Sequence, residues 1–410
     1  MRGDKDMSNT ITQWNITDIP VSEIDSRRDK VMRRITSQGC KAMIFFSSGA
    51  LLYLTGGALI PTERPMALIL KENREAALLV PRLELEHAQE VAKNIGRIEY
   101  YPEYPTEKHP MLYLAELLES MGLSHGTVAA DSDGYGAYWG YRGPKLSSLR
   151  GDMEIKLFPT LVEELKIIKS PFDQMMIRES ARWGNLAHTL LQEYTKAGLK
   201  ELDVVNRASS EATQIMLKTL GPDFRPAGGA EAHAGYRGQI GPNSFLPHAL
   251  TTNATFRGGD TLVTGASAAL LGYNSELERV MFVGEPSKEQ VKFYGHALEI
   301  QKVAYETIRP GIPCSDVDKA VLKYYEENDL MEYWRHHTGH SLGFAGHELP
   351  FFDRSDHTVI EPGMVFSVEP GLYVKGLGGF RLSDTVLVTE TGIEKITYYP
   401  TKIEQVICDL

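Results

Sequence analysis

The first part of the chain sets charged helical stretches against short apolar runs. The stretch EIDSRRDKVMRRITSQG (residues 23–39) predicts a charge-rich helix. The run Ala42–Phe46 predicts a buried strand, and Ala67–Leu70 and Ala76–Val80 repeat the pattern around the polar turn KENRE. Leu83–Lys93 and Met111–Met121 read as helices, and Thr127–Ala130 as a further strand. Helices alternating with short apolar strands predict an α/β layer domain up to about residue 160.

A boundary signal follows. In Lys169-Ser170-Pro171-Phe172-Asp173, Ser170 suits a helix cap, Pro171 the first helical position, and Asp173 the positive helix end. Met176, Ile177, Ala181, Leu186, Leu190 and Tyr194 then continue at helical spacing. Beyond it, helical patterns at 287–308 and 315–328 alternate with glycine-punctuated strands at Thr261–Thr264, Val280–Val283, Val365–Val368, Leu372–Val374 and Val386–Thr389. Turns join these strands more than crossover helices do, which predicts a largely antiparallel sheet with helices on one face. The expectation is an α+β chain of two domains, 1–165 and 166–410.

Composition narrows the partners. The net charge is −11 with no long basic run, which argues against nucleic acid and for a small-molecule substrate. Cys40, Cys314 and Cys408 are odd in number and form no C-x-x-C pair, as in a reduced, cytoplasmic protein. The opening MRGDKDMSNTITQWN holds no apolar core of a secretory signal, and no run is long and apolar enough to predict a membrane span.

Five segments concentrate titratable residues beside glycines and apolar strands. They are 245–248 with His248, 272–279 with Tyr273, Glu276 and Glu278, 336–348 with His336, His337, His340 and His347, 361–371 with Glu369, and 378–384 with Arg381. Glu276 and Glu278 stand two apart, so on a strand they face one side and Arg279 the other. Two buried carboxylates need a cation, a metal, a shared proton or a donor-rich substrate; the plain alternative is a solvated pair on an exposed face. Glu369 ends an apolar strand before Pro370-Gly371, a position that suits either an active site or a simple turn. Clustered histidines suit proton transfer or metal ligation.

These motifs resemble the pita-bread superfamily of methionine aminopeptidase, aminopeptidase P, prolidase and creatinase. The matching stretches are GYNSELERVMFVGEPSKEQ, HHTGHSLGFAGHELPF, IEPGMVFSVEPGLYV and GGFRLSDTVLVTETG. YLTGGALIPTERPMALIL and LKIIKSPFDQMMIRESA resemble the creatinase and prolidase amino-terminal domain and its junction. The resemblance implies a five-ligand centre for two divalent ions. Carried over, its first aspartate falls at Gly265 or Thr264 and is absent, and its second becomes Glu276. Its histidine is His340, its first glutamate Glu369, and its second glutamate is replaced by Ser383.

Creatinase, which lacks the metal set, offers the better template. Its general-base histidine falls on His248, its substrate-gripping glutamates on Glu278 and Glu369, and its carboxylate-binding arginine on Arg64. Phe351 stands where creatinase has a second arginine and Thr62 where it has phenylalanine, so creatine itself is not the expected substrate. Ectoine hydrolase, another metal-free relative, implies other small zwitterions.

The expected function is therefore metal-independent hydrolysis of a C–N bond in a small zwitterionic, amidino or amide compound, with no cofactor. His248, Glu278, Glu369, His340 and His347 are the expected catalytic side chains, and Arg64, Glu276, Tyr273 and Arg381 the substrate-binding ones. The resemblance implies a homodimer in which Arg64 completes the neighbouring site. The alternatives are an Xaa-Pro dipeptidase or aminopeptidase P-like enzyme with one divalent ion on Glu276, His340 and Glu369, a lyase, or a non-catalytic protein.

Overall fold

The computed structural model describes residues 17–136, 138–149, 152–224 and 231–410. The stretch read for a secretory signal lies outside the described residues. Among the described residues, no helix is long and apolar enough to cross a membrane.

The first half runs α1 (Val21–Thr36), β1 (Ala42–Phe45), α2 (Ser48–Thr55), β2 (Ala67–Lys71), β3 (Ala76–Pro81) and α3 (Leu85–Val91). It continues with β4 (Arg97–Tyr101), α4 (Pro110–Ser120), β5 (Gly126–Ala130), β6 (Met153–Leu157) and α5 (Leu161–Lys166). Its strands make one mixed sheet in the order β4-β3-β2-β1-β5-β6. The pairs β1–β2 and β2–β3 are antiparallel; the others are parallel. Both faces are covered. Ala42 and Ile44 pack with Leu114 and Leu117, while Met43 and Phe45 pack with Val31 and Ile35. That burial explains the uninterrupted apolar runs in the sequence. The edge strands β4 (RIEYY) and β6 (MEIKL) are polar and half-exposed, so no apolar run announces them.

The second half opens with α6 (Pro171–Tyr194) and α7 (Glu201–Leu220), followed by β7 (Ala232–Gly235), β8 (Thr261–Val263), β9 (Gly265–Ala268), β10 (Leu277–Glu278) and β11 (Val280–Val283). Helices α8 (Lys288–Thr307) and α9 (Cys314–Glu327) precede β12 (Gly339–Ser341), β13 (Glu348–Phe352), β14 (Val365–Val368), β15 (Gly371–Val374), β16 (Gly378–Arg381), β17 (Ser383–Val388), β18 (Ile393–Lys395) and β19 (Ile407–Cys408). Eight strands form an antiparallel sheet, β13-β12-β14-β17-β10-β9-β7, with β18 on β17. Its core packs apolar residues of α6, α8 and α9 against the sheet. This is the α+β architecture expected: an amino-terminal creatinase/prolidase domain, then a pita-bread domain.

Helix α6 starts as the sequence predicts. Ser170 Oγ accepts from Asp173 N, Asp173 Oδ2 accepts from Ser170 N, and Pro171 holds the first turn. We propose that the domains divide at 165/166, just ahead of this cap. Asp173 also spans the junction, because its Oδ1 accepts from Arg27 Nη2 of α1 at 2.9 Å.

Candidate active site

Four neighbouring strands of the large sheet, β12, β14, β17 and β10, set the stage. Across β12–β14, His340 stands opposite Ser367; across β17–β10, Ser383 stands opposite Glu278. A bulge shifts the β12–β13 register between His340 and Ser341 and re-aims the chain at this point. Side-chain alternation does the rest. Glu276 and Glu278 point to one face, where their carboxylate oxygens lie within 4.8 Å of each other and of Glu369. Arg279, the residue after Glu278, points to the other face and pairs with fully buried Asp384 at 2.8 Å.

Each carboxylate has different company. Glu276 Oε1 accepts from Ser367 Oγ at 2.5 Å and Ser383 Oγ at 2.7 Å. Both oxygens of Glu278 accept from Arg381, Oε1 from Nη2 at 2.7 Å and Oε2 from Nε. This bidentate pair is buried, its two side chains only 3% and 5% exposed. Glu369 Oε1 lies 3.2 Å from His340 Nε2, and Glu369 Oε2 lies 3.9 Å from Arg381 Nε.

His340 Nδ1 faces the carbonyl of Ser341 at 3.0 Å. A carbonyl only accepts, so Nδ1 carries a proton. Nε2 then points between Glu369 and Glu276, at 3.2 and 3.7 Å, without a well-directed hydrogen bond to either. Two carboxylates facing one ring nitrogen favour the imidazolium. Burial opposes that charge, but the Glu369 contact and the Glu276 field overcome it and raise the His340 pKa to about 9. Burial likewise opposes the charge on Glu369, yet His340 and Arg381 hold its carboxyl down at about 2. Glu278 goes the other way. Burial, joined by the charges of Glu276 and Glu369, lifts it to about 7 despite Arg381. His347 is exposed and stacks on His340, with ring centroids 3.8 Å apart. Burial and the His340 charge lower its pKa, so it is the neutral ring of the pair.

The remaining expected residues scatter. His248 is exposed on the loop after Gly241–Asn243, and the loop touches the site through the Pro247 carbonyl, which accepts from Arg381 Nη1 at 3.2 Å. Tyr273 is buried away from this cluster. Its hydroxyl donates to Asp173 Oδ1 at 2.5 Å and accepts from Arg27, joining the domain junction instead. Arg64 stays in the first domain, paired with Glu63 and Glu103, each at 2.6 Å.

Sequence reasoning gave no role to Tyr373 or Ser367, and it named His336 in the histidine cluster without assigning it one. His336 Nδ1 faces the His337 carbonyl at 2.9 Å and so carries the proton, which leaves Nε2 to accept from Tyr373 OH at 2.7 Å. Tyr373 OH in turn accepts from Arg381 Nη1 at 3.1 Å. The signal for His336 was its place in the histidine cluster at 336–348. A tyrosine or serine within an apolar strand carries none.

Chains with a mixed-sheet first domain and an antiparallel pita-bread second domain form the creatinase/prolidase class of hydrolases. The match is specific: the model of metallopeptidase family M24 covers residues 175–390, and that of the creatinase/prolidase N-terminal domain covers residues 27–142. The chain belongs to metallopeptidase family M24 and carries the creatinase/prolidase N-terminal domain. It is 29% identical over 371 residues to an Xaa-Pro dipeptidase of Pyrococcus horikoshii, covering 90% of this chain and 95% of that one. It is 27% identical over 372 residues to an uncharacterized peptidase of Staphylococcus aureus, covering 90% and 98%. The crystal structure of the prolidase from Pyrococcus horikoshii superposes with a TM-score of 0.74 at 24% identity, over 92% of this chain and 99% of that one. These relatives are dipeptidases and peptidases, so the similarity lies with prolidases rather than with creatinase in particular.

Family membership implies a metal centre, and the donor set tests it. Gly265 offers no side chain; a Cβ there would lie 3.7 Å from Glu278 Oε1. Ser383 offers a hydroxyl that is spent on Glu276. Arg381 already occupies both oxygens of Glu278 with a fixed positive charge. Two dications beside a buried guanidinium, with two carboxylates missing, do not fit. Among the described residues two donor groups have ligating atoms within 4.8 Å of one another, Glu276–His340–His347 and Glu276–Glu278–Glu369; with Glu278 held by Arg381, the first is the one compatible with a single cation.

Proposed function

We propose that this chain hydrolyses a C–N bond of a small zwitterionic or amide compound without the two-ion centre of its family. The observation that carries this reading is the Arg381–Glu278 pair, set among Glu276 and Glu369 with Gly265 and Ser383 at the two lost ligand positions. A protein-borne cation there offsets carboxylate charge that a metal would otherwise balance.

In this reading His248 accepts a proton from water and returns it to the departing nitrogen. His340, held as imidazolium by Glu369 and Glu276, donates from Nε2 to the oxygen on which negative charge develops, with His347 beside it. Glu369 and Glu276 accept hydrogen bonds from the nitrogen end of the substrate. Arg381 fixes Glu278 and, through Tyr373, orders His336. A homodimer in which Arg64 reaches the neighbouring site belongs to the same proposal; Arg64 must then exchange Glu103 for the substrate.

The test is metal content by mass spectrometry alongside hydrolysis of a panel of small amides and Xaa-Pro dipeptides, with and without chelator. Substoichiometric metal and chelator-resistant turnover are expected. Stoichiometric metal with turnover lost on chelation overturns the reading. That outcome favours a second one, an Xaa-Pro dipeptidase with a single ion, which the Glu276–His340–His347 donor set and the named relatives support.

A further inference from the structure

Arg237 has no role in the reading above, yet it reaches the site. Its Nη2 lies 3.5 Å from Glu278 Oε1, the same oxygen that accepts from Arg381. Unlike Arg381, it is open to solvent, with its side chain 54% exposed. Its backbone is left-handed, at φ +49°. That conformation is disfavoured for a residue that carries a Cβ. A strained, exposed arginine poised over a buried carboxylate suggests a reason beyond folding.

The surrounding loop is built to hold it there. Glu201, fully buried at the start of α7, accepts from Gly238 N at 2.7 Å and from Thr251 Oγ1 at 2.5 Å, so one carboxylate ties both ends of residues 238–251. Gly238 packs so tightly on the Leu250 carbonyl that a Cβ would lie 2.1 Å from the oxygen. Gln239 Oε1 stands 3.4 Å from Arg381 Nη2. The closed loop therefore seats Arg237 at one end and carries His248, the proposed base, along its span.

Arg237 has a single weak partner, whereas Arg381 is saturated and Arg64 is paired with two carboxylates of its own domain. We infer that Arg237 is the specificity-determining residue that takes an anionic end, a carboxylate, of the substrate at the mouth of the site. A planar guanidinium with free N–H groups suits a bidentate grip on such a group. The substrate class narrows to compounds bearing a free carboxylate near the scissile C–N bond. This rests on the proposed function only for the position of that bond, because carboxylate binding is measurable without turnover.

The experiment titrates the full-length protein by calorimetry with matched acids and amides: proline against prolinamide, and glycylproline against glycylprolinamide. Each acid is expected to bind at least about tenfold tighter than its amide, as loss of one charge-assisted pair implies. Arg237→Gln should erase the difference, Arg237→Lys should keep part of it, and Arg178→Gln, at an exposed arginine paired with Glu394, should leave it intact. Arg237→Gly, which relieves the left-handed backbone, serves as a second variant, its folding checked by circular dichroism, and should erase it too. Acids and amides binding alike, no binding of either acid, or discrimination that survives in Arg237→Gln or Arg237→Gly overturns the inference. Discrimination that follows Arg64 overturns it as well. Carboxylate discrimination through Arg237 in a protein that hydrolyses no C–N bond leaves it standing and removes the proposed function instead.

Discussion

Two buried charge clusters of this chain use the same ingredients to different ends. At the domain junction, Arg27 pairs with Glu23 and Asp173, and Lys166 and Lys169 both pair with Glu348. Three cations meet three carboxylates, and Tyr273 ties Asp173 to Arg27. In the candidate site two buried cations, Arg381 and His340, face Glu276, Glu278 and Glu369, the third cation is exposed Arg237 at 3.5 Å from Glu278, and His340 Nε2 has no well-directed partner. The junction sets a buried cation against each carboxylate, with Glu348 Oε2 also short of a well-directed hydrogen bond, and stabilises one packing of the domains. The site balances its charges only through an exposed arginine and leaves the His340 donor unused, which is what a binding partner requires. The clusters touch, since Lys169 Nζ donates to Ser341 Oγ at 2.8 Å beside His340, and Glu348 follows His347 directly. The scaffold thus holds one end of the histidine pair.

Breaking each cluster separately tests the contrast. The largest effect is expected at the site: His248→Ala should lower kcat on the substrate found by screening by about 10²–10⁴, the range for a lost general base, with an unchanged melting midpoint. A larger drop for His347→Ala than for His248→Ala would move the base to His347. At the junction the expectation inverts. Arg27→Met strands Asp173 and should cost about 3–5 kcal/mol of unfolding free energy in urea. A loss below about 1 kcal/mol, the scale of an exposed pair, would mean that the junction is no more than surface electrostatics.

Titration sharpens the comparison further. The folded pKa of His340 lies above its ordinary 6.5, at about 9. Its contribution is therefore fully present below pH 6.5 and is lost as pH rises toward 9. Glu369 is depressed from 4.5 to about 2, so its contribution is present above 4.5 and lost as pH falls through that window. Urea unfolding at pH 6 and pH 9 should show stability falling with pH, and His340→Gln should flatten that slope. An unchanged slope in the variant would place the titrating group elsewhere. The smallest effect is expected at Arg237. Arg237→Gly should raise unfolding free energy by about 0.5–1 kcal/mol, the left-handed strain relieved less the entropy glycine adds to the unfolded chain. A destabilised Arg237→Gly would show that the arginine is held there for folding.

Much of the frame was readable from residue order. Apolar runs located β1, β2, β3, β5, β11 and β14 because those strands are buried on both faces, and the Ser170–Asp173 box located α6 because capping is local chemistry. The polar edge strands β4 and β6 were not readable, because their pairing depends on a neighbour far along the chain. At the site, two-residue spacing correctly set Glu276 and Glu278 on one face, since strand alternation is a local rule. Tyr273 shows the limit: it sits three residues before Glu276, yet its side chain joins Asp173 and Arg27.

The sequence by itself determined which ligand types are present and which are missing, since Gly265 and Ser383 cannot supply carboxylates in any fold. It also determined the order of elements and the helix start at Pro171. Only the tertiary structure decided that Arg381 occupies Glu278, that His340 turns Nε2 between two carboxylates, and that Arg237 leans over them. Those outcomes depend on the registry of strands separated by up to about a hundred residues, and on burial, which sets how strongly each charge needs a partner.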